Sequence, residues 1–412
     1  MIENRKVFVS GMGIVSSDSI GCYEFNKFLQ DEKSAIRKVN DSTLLSYYAK
    51  IKDFCFEDEI KKLKNISEDL IKKAKLCTRR KNDMVKSCTL AAMEAYFDAG
   101  LYNIDYDRQK IGIIIAGSNF SQLETYEAAK KYSDNLGGIS PSYALNYMDT
   151  NVLGVISEIL DIHGEGFTVS GASASGNLAI VKGYQMIKYG ICDVCLVVGP
   201  MTRLSDLELS AFNKLEVIGS KIYSPFQKGQ NGFVPGETSS CIILESESSM
   251  KKRNMDLDIE VCSAVSFLDG NRSTNPSIEG EKNVMKKAID SSKLKPSDIE
   301  YINAHGTGTP LGDKCELKAI NDVFLKNVFV NSTKSYIGHC LNSAGITEAI
   351  ATILQMKNGY IHTNLNLDNP ICNEVKLVMG HNLKKDIKYA LNNSFGFSGI
   401  NTSIVLKNHL VL

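Results

Sequence analysis

Residues 168–177 read TVSGASASGN, a strand end that runs through small residues toward a helix. Thr168 and Val169 favour a strand, a run of small residues follows, and the apolar, helix-like LAIVKGYQMIKYG (178–190) comes next. A chain built this way presents one side chain at a helix N-terminus, where nucleophiles are often held because the local backbone favours negative charge. The side chain in question is Ser173, and the cluster holds no cysteine. Three readings stand open: a nucleophile, a substitute for one, or a small residue in a tight turn that caps the helix.

A second stretch, TKSYIGHCLNSAGITEAIATILQMKNG (333–359), echoes the first, running from a strand end through small residues into an apolar helix. Similar units in both halves of a chain imply a duplicated topology. The helices starting near Ala174 and Ser343 are apolar on nearly every face, which places them between sheets with their polar N-termini facing an internal site. Strand-like runs at 6–15, 111–118, 166–172, 193–200, 239–246, 257–266, 299–306, 327–335 and 402–408 alternate with helix-like segments. Several are apolar at consecutive positions, as strands covered on both faces are. The pattern predicts an α/β architecture of layered sheets and helices. The charged ESESSMKKRNMDLD (245–258) divides an N-terminal half, 1–255, from a C-terminal half, 256–412.

Composition narrows the functional classes. A chain of 412 residues has ample length for a core, and its 43% hydrophobic and 23% charged content is that of a soluble globular protein. Lys and Arg number 47, as do Asp and Glu, so there is no overall field for gripping nucleic acid or an anionic membrane. No apolar run is long enough for a membrane span, and the first residues carry no signal-peptide pattern. Eleven cysteines scattered singly fit a reducing, cytoplasmic setting. The one CxxC, Cys192 to Cys195, stands alone in an apolar run and reads as core packing, so no metal site is expected.

Three further segments carry candidate chemistry. NAHGTGTPLGD (303–313) sets His305 after a strand, KSYIGHCLNSAG (334–345) sets Lys334 and His339 at a strand-to-helix corner, and NSFGFSGINTS (393–403) reads as a glycine-rich loop before the last strand. None has the spacing of a Walker or dinucleotide-binding loop. Of the six histidines, only His305 and His339 lie in such corners; His163, His362, His381 and His409 read as structural.

Taken in order, these motifs resemble the β-ketoacyl-[acyl carrier protein] synthases of the type II elongating class. VFVSGMGIVSSDSIG (7–21) resembles that family's opening strand, and SPFQKGQNGFVPGE (224–237) stands where it has Arg-Pro-Phe-Asp and Arg-Asp-Gly-Phe. The resemblance implies a thiolase-like five-layered α/β/α/β/α sandwich built from two similar halves, and a homodimer. It places Ser173 at the family's nucleophilic cysteine, His305 and His339 at its two histidines, Lys334 at the nearby lysine and Glu348 at that lysine's acidic neighbour. Phe397 takes the position of the gating phenylalanine, which completes the oxyanion hole with the nucleophile's own N–H. Thr307 and Thr309 match threonines that hold the 4'-phosphopantetheine arm of an acyl carrier protein; no other cofactor is implied.

The serine changes what such a site can do. A hydroxyl is far less acidic than a thiol and attacks only with an adjacent base, and the spacing shows no carboxylate to orient either histidine. The groups that stabilise an enolate are all present. The resemblance is then to the Cys-to-Ser decarboxylases of polyketide β-branching cassettes, which convert malonyl-carrier to acetyl-carrier for an HMG-CoA-synthase-like enzyme. Two other readings remain: a Ser-dependent acyltransferase, and a non-condensing, chain-length-factor-like partner of a synthase. Other departures, GSNFSQLE (117–124), QNGF (230–233) and GETSS (236–240), fall where the family shapes its acyl tunnel and dimer interface. The best local cluster of positive charge for an acidic carrier is KKAKLCTRRK (72–81), with Lys75, Arg79, Arg80 and Lys81.

Overall fold

The structure is a computed structural model that describes residues 5–64, 66–102, 104–325 and 327–411. Ten strands carry it: β1 (Val7–Ser16), β2 (Ile111–Ala116), β3 (Gly166–Val169), β4 (Val194–Gly199), β5 (Thr238–Ser246), β6 (Ile259–Leu268), β7 (Tyr301–Asn303), β8 (Phe329–Asn331), β9 (Tyr389–Gly396) and β10 (Ile400–Asn408). The first five run in the order β1-β5-β4-β2-β3 and the second five in the order β6-β10-β9-β7-β8. Each half pairs its first three strands antiparallel and its last three parallel. The duplication expected from the echoed stretches is thus present strand for strand. The halves meet edge to edge where Val7 and Phe8 of β1 pair with Val261 and Glu260 of β6, and a short strand, Lys376–Leu377, extends the far edge beside β8.

Six helices complete the layers: α1 (Asp83–Asp98), α2 (Thr150–Leu160), α3 (Ser175–Lys188), α4 (Ile278–Ser291), α5 (Pro310–Phe324) and α6 (Ala344–Asn358). Alternation along each strand sends side chains to both faces. Ile113 and Ile115 of β2 join α1 and α2 in an outer core, whereas Ile114 joins α3 and α6 in the central one. The second half of the sheet packs Ile302, Val330 and Leu391 against α4 and α5 and turns Ala390 and Ile404 to the centre. The result is the α/β/α/β/α order of layers.

The two central helices meet at their N-termini. A Cβ on Gly176 would lie 2.7 Å from the Ile346 nitrogen, and one on Gly345 would lie 2.5 Å from that of Asn177, so only glycine permits this approach. Each helix is entered through one 3-10 turn, Ala172–Ala174 and Leu341–Ser343. The first residue of each turn is left-handed, with φ 49° at Ala172 and 50° at Leu341, a conformation that costs a non-glycine residue about 1 kcal/mol or more.

One reading of the sequence is corrected. Residues 393–403 are not a loop: Asn393–Gly396 ends β9, Ile400 begins β10, and only 397–399 turn between them. The charged stretch starts at the end of β5, where Glu245 is fully buried with its carboxylate 2.7 Å from the Arg253 guanidinium. Cys192 and Cys195 are buried thiols of the central core.

Candidate active site

Ser173, in the turn before α3, is half-buried, and its hydroxyl lies 2.9 Å from His339 Nε2. His339 follows the short helix Lys334–Ile337 and is fixed by its backbone, its N–H donating to the Val234 carbonyl at 2.7 Å and its carbonyl accepting from Gly236 N–H at 3.0 Å. Its Nδ1 accepts the Leu341 backbone N–H at 3.3 Å. An imidazole nitrogen that accepts carries no proton, so in the neutral ring the proton sits on Nε2 and Nε2 is a donor. The Ser173 hydroxyl is therefore the acceptor in its contact with His339.

His305 stands across the site, its ring centre 5.6 Å from that of His339 and nearly perpendicular to it. The Lys334 ammonium donates to the His305 carbonyl at 2.6 Å and lies 3.4 Å from its Nδ1, which turns the Nε2 edge of this ring into the site as a donor too. Lys334 and Glu348 are buried, with about 1% of each side chain exposed, and are bonded to each other. Burial pushes the Glu348 carboxyl up to about 7, against the pull of Lys334. Burial, with the Lys334 charge adding to it, holds both imidazoles well below the usual histidine range. Both rings are neutral donors as pH falls through 6.5, and protonating Nδ1 of either would break a contact and add a second charge beside Lys334. The acid limb of the pH–rate profile is expected well below 6.5; a limb centred at 6.5 contradicts this assignment.

The loop after β7 is shaped by two carboxylates that the sequence reading did not single out. Glu316 accepts the N–H groups of His305 and Gly306, each at 2.8 Å, and Asp313 accepts those of Gly308 at 2.9 Å and Phe226 at 2.6 Å. They lie one turn apart near the start of α5, and that spacing, in GDKCE (312–316), was the available signal. The loop thus held carries Thr307, buried, and Thr309, half-buried, with their hydroxyls 2.9 Å apart.

Aromatic rings wall the site. Phe233 stands edge-on to His339 at 5.2 Å, and Phe395 packs on His305 at 5.7 Å. Phe397 is half-buried in the β9–β10 turn. That turn abuts the serine turn, since a Cβ on Gly396 would lie 2.3 Å from the Gly171 carbonyl oxygen. The departures from the family pattern lie behind these groups. Gln230 bonds Ser224 N–H and the Gly232 carbonyl beneath the 306–309 loop, and Glu237 binds Tyr48, Ile51 and Arg203. Thr238 bonds Ser343 at the entry to α6. The remaining histidines each have a partner: Asp161 for His163, Thr333 for His362, Glu32 for His381 and Glu260 for His409.

The site's parts come from both halves, and so do the matches to known families. Residues 4–249 match the model of the beta-ketoacyl synthase N-terminal domain, and residues 260–368 that of the C-terminal domain. The chain belongs to the β-ketoacyl synthase family. It is 34% identical, over 98% of its length and 96% of the relative's, to the polyketide biosynthesis malonyl-ACP decarboxylase PksF of Bacillus subtilis. It is 30% identical to 3-oxoacyl-[acyl-carrier-protein] synthase 2 of Staphylococcus aureus, over 99% of both chains. Among solved structures, a beta-ketoacyl synthase from Burkholderia phymatum superposes with a TM-score of 0.85 at 25% identity, covering 98% of this chain and 99% of that one. The ishigamide ketosynthase/chain length factor does so with a TM-score of 0.87 at 23% identity, covering 99% of this chain and 100% of that one, which shows the shared thiolase-like fold. Among the described residues, no helix is long and apolar enough to cross a membrane.

Proposed function

We propose that the protein decarboxylates malonyl-[acyl carrier protein] to acetyl-[acyl carrier protein] and does not condense acyl chains. The observation that carries this reading is the occupied Nδ1 of His339. With its proton on Nε2, His339 donates to Ser173 and cannot deprotonate it, so the residue at the nucleophile position has no base. The same proton makes His339 and His305 a pair of donors for an enolate oxygen.

In this reading the phosphopantetheine arm passes Thr307 and Thr309 and sets the malonyl thioester oxygen between the imidazoles. The bond to the carboxylate breaks, carbon dioxide leaves, and the electron pair remains as an enolate held by both N–H groups. The Ser173 N–H, in the first turn where amides lack an intrahelical acceptor, and the Phe397 turn complete the cradle. The apolar walls of Phe233 and Phe395 disfavour the bound carboxylate and strengthen the donor contacts. The similarity to a malonyl-ACP decarboxylase over nearly the full chain supports the reading. The acetyl-carrier product would feed an HMG-CoA-synthase-like enzyme in polyketide β-branching, in the cytoplasm. In this scheme residues 1–255 supply the serine turn and 256–412 the histidines.

The competing readings predict different products. Incubation with malonyl-carrier should give acetyl-carrier and carbon dioxide with no acyl adduct on the enzyme. An adduct on Ser173 would replace this reading with acyl transfer, and unchanged malonyl-carrier would replace it with a non-catalytic partner of a synthase.

Two interfaces belong to the proposal. Arg79 and Arg80 are exposed and make no ion pair among the described residues, whereas Lys81 is taken up by Asn146 and Asn151 at 2.7 and 2.6 Å. Arg79→Glu with Arg80→Glu should raise KM for malonyl-carrier about tenfold at unchanged kcat; an unchanged KM removes this dock. Residues 122–151 contain no buried side chain, with Leu136, Leu145, Tyr147 and Met148 exposed, and β3 ends the sheet with a free edge. A second copy pairing there would cover them, and sedimentation should report twice the 45.4 kDa chain.

A further inference from the structure

Among the described residues, the Ser173 hydroxyl has one hydrogen-bond partner, His339 Nε2 at 2.9 Å. The occupied Nδ1 makes that partner a donor, so the contact uses a lone pair of Oγ and leaves the hydroxyl's own hydrogen uncommitted. Ser173 is half-buried at the entry to α3, with Oγ against the His339 ring, whose centre lies 5.6 Å from that of His305. A hydroxyl that accepts one hydrogen bond becomes a better donor of the next. An N–H already aimed at Oγ also stabilises the alkoxide left when the proton departs.

We propose that Ser173 is the general acid of the reaction, delivering its hydroxyl proton to the α-carbon of the enolate. This rests on the decarboxylase reading and adds to it a source for the proton. Loss of carbon dioxide leaves the electron pair on the enolate. The Ser173 O–H bond then breaks, its proton forms the new C–H bond of the acetyl group, and the negative charge passes to Oγ. Solvent water reprotonates Oγ, so each carbon dioxide released consumes one proton from solvent. The enolate carbon is a much stronger base than a serine alkoxide, which makes the transfer downhill. While the enolate exists, His339 Nε2–H is shared between the enolate oxygen and Oγ, as a three-centre bond. Once the carbon is protonated the N–H returns to Oγ. Serine at this position thus replaces a nucleophile with an acid and is more than the absence of a thiol.

The test compares wild type, Ser173→Ala and Ser173→Thr on malonyl-carrier, following carbon dioxide release in water and in deuterium oxide. Ser173→Ala is expected to lower kcat by about 100-fold at unchanged KM and to raise the solvent isotope effect on kcat from near unity to about twofold or more. Added 13C-labelled carbon dioxide should also enter the unreacted malonyl group in this variant, because the enolate survives long enough to recapture it. Ser173→Thr, which keeps a hydroxyl, should restore most of kcat. A Ser173→Ala enzyme with kcat unchanged, or with kcat reduced but the same isotope effect and no label uptake, overturns the proposal while leaving decarboxylation standing. A wild-type enzyme that releases no carbon dioxide overturns the decarboxylase reading itself.

Discussion

His305→Ala and His339→Ala are each expected to lower kcat/KM for carbon dioxide release from malonyl-carrier by about 10²–10³-fold. The size follows from what each ring supplies. Both present an Nε2 proton into the site because Nδ1 is occupied, by the Lys334 ammonium for His305 and by the Leu341 N–H for His339. Each donor is held by its backbone or by Lys334 before the reaction begins and acts in a site walled by Phe233 and Phe395, where a hydrogen bond to a developing oxyanion is worth more than in water. The losses should fall on kcat more than on KM, because the charge they meet exists only after the carbon–carbon bond begins to break. Asparagine, which keeps an N–H donor, should recover part of the loss at either position. Near-normal release from both alanine variants contradicts the mechanism.

Glu348→Ala is expected to destabilise the fold by roughly 3–5 kcal/mol, because it leaves the Lys334 ammonium buried without its carboxylate. Lys334 also holds the His305 carbonyl and approaches its Nδ1, so the same change should free the ring and lower kcat in whatever fraction folds. Glu348→Gln keeps the shape and a carbonyl acceptor and should lose less stability. Lys334→Met with Glu348→Leu removes both charges together and should recover much of the stability but not kcat. Denaturant unfolding checks the first set of outcomes and steady-state kinetics the second. Equal stability of wild type and Glu348→Ala would mean that the buried pair does not organise this layer.

The duplicated architecture was legible because it rests on patterns a sequence displays directly. The echo of TVSGASASGN in TKSYIGHCLNSAG corresponds to two turns with matching left-handed residues, Ala172 and Leu341, and to glycines where α3 and α6 touch. Strand β9 was not legible, since its end, Asn393 to Gly396, has a composition that favours turns. Its buried amides find partners only far along the chain: the Asn392 amide N–H groups donate to Asn177 and Gly345, and the Asn393 side-chain oxygen accepts from Ser403. Asn392 Oδ1 and Ser394 Oγ are left without a partner among the described residues. The histidines, Lys334 and the serine turn could be named from motifs. What sets their protonation could not be, because the Leu341 N–H is a backbone group and Glu316 acts on amides ten and eleven residues away in sequence.

On the proposed mechanism, Ser173 separates decarboxylation from condensation while the rest of the site stays intact. The direct measurement is intact-mass analysis of enzyme and carrier after incubation with malonyl-carrier and an acyl-carrier together, for wild type and Ser173→Cys. Wild type is expected to yield acetyl-carrier and remain unmodified, with an acyl adduct and β-ketoacyl-carrier appearing in the cysteine variant. An acyl adduct on wild-type Ser173, or β-ketoacyl-carrier formed by the wild-type enzyme, would contradict the mechanism.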